Sequence, residues 1–150
     1  MRVALVNSKL CSGCRACEVA CSFWHYKTFN PKRSRIRVVR LERAIDVPVV
    51  CRQCGIPQCA KNCFVHAIRR DGEMVTLDQN RCFGCEKCVE DCPFGAVTID
   101  PKSGKAVKCD LCGGNPKCVE ACVSGALKLV NGETLAKMKR KNSARLFIRD

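Results

Sequence analysis

Aromatic side chains are few: one tryptophan, one tyrosine and six phenylalanines among 150 residues. Part of the 47% counted as hydrophobic is cysteine, so a core made by side-chain burial alone would be thin. No segment approaches the ~20 apolar residues of a membrane-spanning helix. The opening "MRVALVNSKL" has neither a long apolar stretch nor a twin arginine, which speaks against a secretory signal. No nucleophile–base constellation, phosphate-cradling loop or nucleotide fingerprint occurs, so no catalytic residue is nominated. Acidic residues are also short, 14 Asp and Glu against 27 Lys and Arg, a formal charge of +13. That balance suits a nucleic-acid binder if every cysteine is neutral.

Cysteine is what the chain has, 16 residues of 150, enough to mark it as cysteine-organised. Without a secretory signal the expected compartment is a reducing cytoplasm, where eight disulfides would be unusual. The cysteines fall into four groups of four. Cys11, Cys14, Cys17 and Cys21 are spaced C-x2-C-x2-C-x3-C, and Cys82, Cys85, Cys88 and Cys92 repeat that spacing. Cys51, Cys54, Cys59 and Cys63 read C-x2-C-x4-C-x3-C; Cys109, Cys112, Cys118 and Cys122 read C-x2-C-x5-C-x3-C. None is left over. "NSKLCSGC" matches "DQNRCFGC" 71 residues later, and "CFVHAI", "CPFGAV" and "CVSGAL" end three groups alike. A compact group followed by a looser one occurs twice, which reads as a duplicated two-motif unit.

Spacing chooses the metal. Structural zinc sites bring together two close pairs separated by a dozen or more residues. Here three cysteines fall within seven residues in the compact groups, which suits three thiolates wrapped around one corner of an iron–sulfur cubane. In the pattern C-x2-C-x2-C-x3-C-P the fourth cysteine ligates the other cluster of a pair, and "RCFGCEKCVEDCPFGAV" is that pattern in full. Pro93 has no N–H and a fixed φ, so it stops the turn and lets Cys92 reach away from its own loop. Gly13 and Gly84 lie in the tightest part of the loops, where the absence of a side chain allows close backbone approach. Zinc stays open at one of the looser groups. A [4Fe-4S] cluster with its four thiolates carries about −2, so four clusters would bring the chain to roughly +5. The basic excess then reads as charge compensation.

Sixteen cysteines in this order, over residues 11 to about 127, resemble the four-cluster ferredoxin-like subunits that carry electrons for molybdenum and tungsten oxidoreductases. Within that family, "CSFWHYKTFNPKRSRIRVVRLE" followed by "VPVVCRQCGIPQC" looks like the small subunits of tungsten-containing aldehyde oxidoreductases, and "KAVKCDLCGG" is common to the wider family. The resemblance implies four [4Fe-4S] clusters, with outer motifs paired and inner motifs paired. Cys11, Cys14, Cys17 and Cys122 would hold one cluster, and Cys21, Cys109, Cys112 and Cys118 its neighbour. Cys51, Cys54, Cys59 and Cys92 would hold the third, and Cys63, Cys82, Cys85 and Cys88 the fourth. It further implies a wire with no active site of its own. A large tungsten-pterin subunit oxidising aldehydes would feed it, and ferredoxin or a flavin subunit reducing NAD would drain it. A subunit of a hydrogenase, formate dehydrogenase or benzoyl-CoA-reductase-like complex is the alternative within electron transfer. A free-standing polyferredoxin and a zinc-dependent nucleic-acid binder are alternatives of other classes.

The expected fold is α+β, a duplicated bacterial-type ferredoxin arrangement of short strands and helices around four clusters. "SRIRVV", "IDVPVV", "MVTLD", "AVTID", "GKAVK" and "ALKLV" read as strands. Helical turns are expected in "CRACEVAC" and "CEKCVEDC". Residues 1–127 form the cluster domain. Residues 128–150 form a basic extension with helical spacing at Leu135 and Met138, either a clasp on a partner or a solvated tail. His25 is expected to pack or hydrogen-bond near a cluster, and Phe23, Trp24, Tyr26 and Phe29 to shield one from water. Arg33, Arg35 and Arg37 would share a strand face used for docking or for charge compensation. His66 stands where the repeat has Gly95 and Gly125 and receives no function.

Overall fold

Among the described residues, short segments before, between and after the cysteine groups form eight strands, most of them rich in the β-branched residues that favour extended backbone. The structure, a computed structural model, describes residues 2–5, 8–41, 45–145 and 147. All strands pair antiparallel, in four two-stranded sheets. β1 (Arg2–Leu5) pairs with β8 (Leu127–Val130), and β2 (Ile36–Leu41) with β3 (Ile45–Val50). β4 (Ile68–Asp71) pairs with β5 (Met74–Leu77), and β6 (Val97–Ile99) with β7 (Ala106–Lys108). The helices are α1 (Ala16–Tyr26), α2 (Gln58–Lys61), α3 (Lys87–Glu90), α4 (Lys117–Glu120) and α5 (Gly132–Arg145). The protein is α+β. Among the described residues no helix is long and apolar enough to cross a membrane.

The nesting of the chain is visible in what packs on what. α1, from the first group, lies against α4, from the last; α2 lies against α3. β1 and β8 close the outer set. Buried side chains form two clusters. In one, Cys17, Cys21, Cys51, Cys109 and Cys118 pack with Ile36, Val38, Val50, Leu111 and Leu127. In the other, Cys59 and Cys88 pack with Ile68, Val75, Val97 and Ala106.

All six expected strands are present. β1 and β4 were not expected, and α1 runs on to Tyr26 rather than ending within its cysteine group. Lys27 ends it by turning left-handed and returning its N–H to Phe23 O at 2.8 Å. Glu18, 1% exposed, anchors α1 to β2 by accepting the Val38 N–H at 2.6 Å.

The basic stretch departs from the expectation of one strand face. Pro31–Arg33 make a single helical turn and β2 starts only at Ile36. Ser34, fully buried, donates its hydroxyl to Ile36 O at 2.8 Å, which keeps the two residues before the strand out of its regular register. The arginines are used internally. Arg37 donates to the carbonyls of Pro31 and Lys32. Arg35 reaches Asp110 at 2.7 Å. Arg33 grips both oxygens of Asp100 at 2.7 and 2.9 Å, linking the first-half insert to the β6–β7 connection.

Asp100 is 2% exposed. The Arg33 guanidinium, helped by the Ser103 hydroxyl, holds its carboxyl down to about 2, against burial acting the other way. A depressed carboxyl contributes stability above its unfolded pKa; this contribution is complete above about pH 4 and is lost as pH falls toward 2. Removing the guanidinium strands a buried carboxylate. Arg33→Ala is expected to lower stability, read as a lower unfolding midpoint at neutral pH with bound iron unchanged.

β8 carries the chain past residue 127 into α5, where Glu133 and Lys137 pair at 2.8 Å. Leu135 and Met138 lie along α5 and stay half-buried.

Candidate metal centres

The loop geometry repeats at one position. The residue before the second cysteine of each group has a left-handed backbone: Gly13 (φ 68°), Gln53 (48°), Gly84 (82°) and Leu111 (58°). This conformation curls each Cys-x2-Cys loop. At Gly84 a Cβ would overlap the carbonyl of Gly104, and at Gly13 it would overlap the Asp46 carboxylate. Gln53 and Leu111 take the same conformation with side chains buried beneath the loop. The ends of the last three groups repeat as well. His66, Gly95 and Gly125 are all left-handed and return an N–H to the carbonyl of Cys63, Cys92 and Cys122, at 2.8, 3.1 and 3.0 Å. His66 therefore marks a turn.

The sixteen cysteines carry no disulfide. Cys11, Cys14, Cys17 and Cys122 line one cavity. Cys51, Cys54, Cys59 and Cys92 line a second, closed by Val75, Pro93 and Val97. Cys63, Cys82, Cys85 and Cys88 line a third, walled by Ile68, Leu77 and Ala106. Cys21, Cys109, Cys112 and Cys118 also gather: burial pushes the Cys118 thiol up, and charges on Cys109, Cys21 and Cys112 push it further.

These surroundings fit a multi-atom inorganic group. One zinc would draw four sulfurs to ~2.3 Å from a single atom. In three of the sets the four thiols instead stand around an apolar-walled cavity. The donors are thiols in apolar walls, where burial alone works against the thiolate. It raises Cys17 and Cys109 to about 12, and Cys59 and Cys88 to about 11. Iron charge offsets that penalty. Backbone N–H groups already point at sulfur: Arg35 N to Cys21 at 3.3 Å, and Ala96, Leu111 and Leu127 N to Cys92, Cys109 and Cys122 at 3.4 Å each. Such hydrogen bonds tune cluster potentials.

His25 sits beside this chemistry without joining a cysteine set. Nδ1 lies 2.9 Å from Cys21 O and 3.9 Å from its sulfur, and Nε2 lies 3.0 Å from an Asp110 oxygen. Burial lowers its pKa, but Asp110 and Cys21 outweigh that and raise it to about 9. Asp110 is held well below the usual carboxylate range, because His25 and Arg35 outweigh its burial. Arg35 at 2.7 Å on Asp110 already supplies the cation there. Cys21 is lowered despite burial, chiefly by His25 and the Arg35 N–H.

The aromatic group stands apart from the cavities of the first, third and fourth sets. Phe23 and Phe29 stack at 4.8 Å on the outside, and Trp24 lies beneath the ammonium groups of Lys27 and Lys117, each 5.1 Å away. None lines any of the three cavities. Tyr26 is covered by Arg33 at 3.7 Å. Sequence reading passed over Asp110, Gln53 and Lys108. A polar residue inside or directly before a Cys-x2-Cys loop is the signal that would have flagged them.

Residues 43–132 match the 4Fe-4S dicluster domain family. The chain belongs to that family, and it is an iron–sulfur electron-transfer protein. The putative electron transport protein YsaA of Escherichia coli is 38% identical over 120 residues, covering 74% of this chain and 76% of the relative. The polyferredoxin-like subunit of an aliphatic sulfonate oxidoreductase from Pyrococcus furiosus is 43% identical over 111 residues, covering 73% of this chain and 64% of that one. A solved BamBC active-site complex of benzoyl coenzyme A reductase with benzoyl-CoA contains a chain 29% identical, with TM-score 0.47, covering 95% of this chain and 91% of that one.

Proposed function

We propose that this family member holds four [4Fe-4S] clusters and serves as the electron-transfer subunit of an oxidoreductase complex, in a duplicated ferredoxin-like fold. The ligand sets are Cys11/14/17/122, Cys21/109/112/118, Cys51/54/59/92 and Cys63/82/85/88. The three cavities and the Cys118 surroundings support this pairing. Bound there, each cluster supplies a one-electron centre.

The observation that carries the reading is the adjacency of the sets. Cys17 of the first set, Cys21, Cys109 and Cys118 of the second and Cys51 of the third pack in one buried cluster. Cys59 of the third packs with Cys88 of the fourth in the other. This gives a single file from the outer pair to the inner pair. The chain's own work is to hold the sets in that file, aim N–H groups at sulfur and keep water out with Val38, Leu111 and Val75. Cys14 and Cys85, at opposite ends of the file, are the exposed ligands, so electrons enter and leave near the first and fourth sets.

The catalytic partner we propose is a tungsten-pterin aldehyde oxidoreductase, with ferredoxin or a flavin subunit on the other side and the cytoplasm as compartment. The resemblance of the "CSFWHYKTF" and "VPVVCRQC" segments supports this partner; the 43% identical relative, a subunit of an aliphatic sulfonate oxidoreductase, supports an oxidoreductase partner without naming the aldehyde. Anaerobic purification of the tagged chain from its native cells tests this. Tungsten in a co-purifying large subunit is expected. Molybdenum or nickel there would keep the wire and replace the enzyme. A chain that purifies alone with full iron would be a free-standing polyferredoxin.

A further inference from the structure

Lys108 closes β7 directly before Cys109, and it is 2% exposed. Its ammonium donates to two backbone carbonyls, that of Val75 and, at 2.9 Å, that of Cys109. Among the described residues no carboxylate forms an ion pair with it. A buried ammonium without a counter-charge is strongly unfavourable. Its two carbonyls show where the compensation lies. Val75 walls the cavity of Cys51, Cys54, Cys59 and Cys92, while Cys109 belongs to the neighbouring set.

Gln53 clamps the same two residues. Its amide donates to Cys109 O at 2.9 Å and accepts from Val75 N at 2.8 Å. Gln53 is neutral, so it holds this junction together without cancelling the charge. The backbone clamp is thus duplicated, whereas the charge comes from Lys108 alone among the residues that clamp it.

We infer that Lys108 is an electrostatic positioning residue for electron transfer, a fixed buried cation that raises the reduction potentials of the second and third clusters and so favours an electron at the centre of the file. The inference rests on the four-cluster reading. A reduced cluster carries one more negative charge than its oxidised form, so a cation close to two clusters stabilises the reduced form of both. The more distant first and fourth sets feel it less.

The test is an EPR-monitored redox titration of the whole chain, wild type against Lys108→Gln, Lys108→Met and Lys108→Arg, with iron counted on every sample. Signals are assigned through Cys112→Ser and Cys54→Ser, which perturb the second and third sets. In either neutral variant with wild-type iron, those two clusters are expected to become about tenfold harder to reduce, a downward shift of about 59 mV for one electron. The other two should move by less than a third of that, and Lys108→Arg should leave all four near their wild-type values. Unchanged potentials in a fully loaded neutral variant would overturn the inference, as would equal shifts of all four. Loss of iron in both neutral variants would confine Lys108 to cluster assembly and also overturn it. Fewer than four clusters in the wild type would instead refute the reading beneath it.

Discussion

Stripping iron from the purified chain with a chelator is expected to abolish its cooperative unfolding transition. The reason lies in what the core is made of. Seven of the 21 buried apolar residues described are cysteines. The sheets have two strands each, and an isolated two-stranded ribbon is at best marginally stable in water. Three of the five helices have four residues, too short to persist alone. Aliphatic contacts join these pieces, but the joints run through Cys17, Cys51, Cys109 and Cys118 in one cluster and Cys59 and Cys88 in the other. Without iron those positions are thiols facing cavities, and the binding free energy that offset chain entropy is gone. Calorimetry and far-ultraviolet circular dichroism of the stripped chain read the outcome directly. A sharp transition retained without iron would show that aliphatic packing suffices.

Gly84→Ala is expected to remove one cluster and spare the rest. Gly84 stands between Cys82 and Cys85 with φ 82°, and a Cβ there would overlap the backbone carbonyl of Gly104 in the β6–β7 connection. A flexible side chain could move aside; a backbone carbonyl in a hairpin turn cannot without shifting Asp100 and its Arg33 partner. The left-handed conformation adds ~1–2 kcal/mol for any residue with a Cβ. The loop should therefore open at Cys82 and Cys85, leaving about twelve irons per chain in place of about sixteen. Gly95→Ala is the matched comparison. It has φ 59° but nothing within 4 Å of its Cβ, so it should cost about 1 kcal/mol and keep its iron. Equal iron in both variants would mean that the Gly104 contact does not shape the loop.

The cysteine groups and most strands were legible because each depends on neighbours in sequence. Spacing marks a Cys-x2-Cys loop, and runs such as "IDVPVV" carry their own preference for extended backbone. The helix before Cys92 ends at Glu90, as those before Cys63 and Cys122 end at Lys61 and Glu120 with no proline following, so Pro93 is not what sets the stop. β1 was not legible. Its partner β8 begins at Leu127, and nothing within Arg2–Leu5 announces a pairing made across the whole chain. The role of the arginines was misjudged for a related reason. Alternation in "RSRIRVV" suggests a strand face, but Asp100 and Asp110, which claim Arg33 and Arg35, lie 67 and 75 residues away. Once those pairs exist, the stretch before Ile36 serves the ion pairs instead of the sheet. Nothing in the sequence sets Lys108 apart from the rest of the 27 basic residues. Only the fold shows it buried between two cysteine sets.

The most direct test of the account is a count of iron and acid-labile sulfide on the anaerobically purified chain, with Mössbauer spectra of the same sample. The account predicts about sixteen irons and sixteen sulfides per chain, all in [4Fe-4S] form. About eight irons, or zinc in place of iron at any of the four sets, would contradict it.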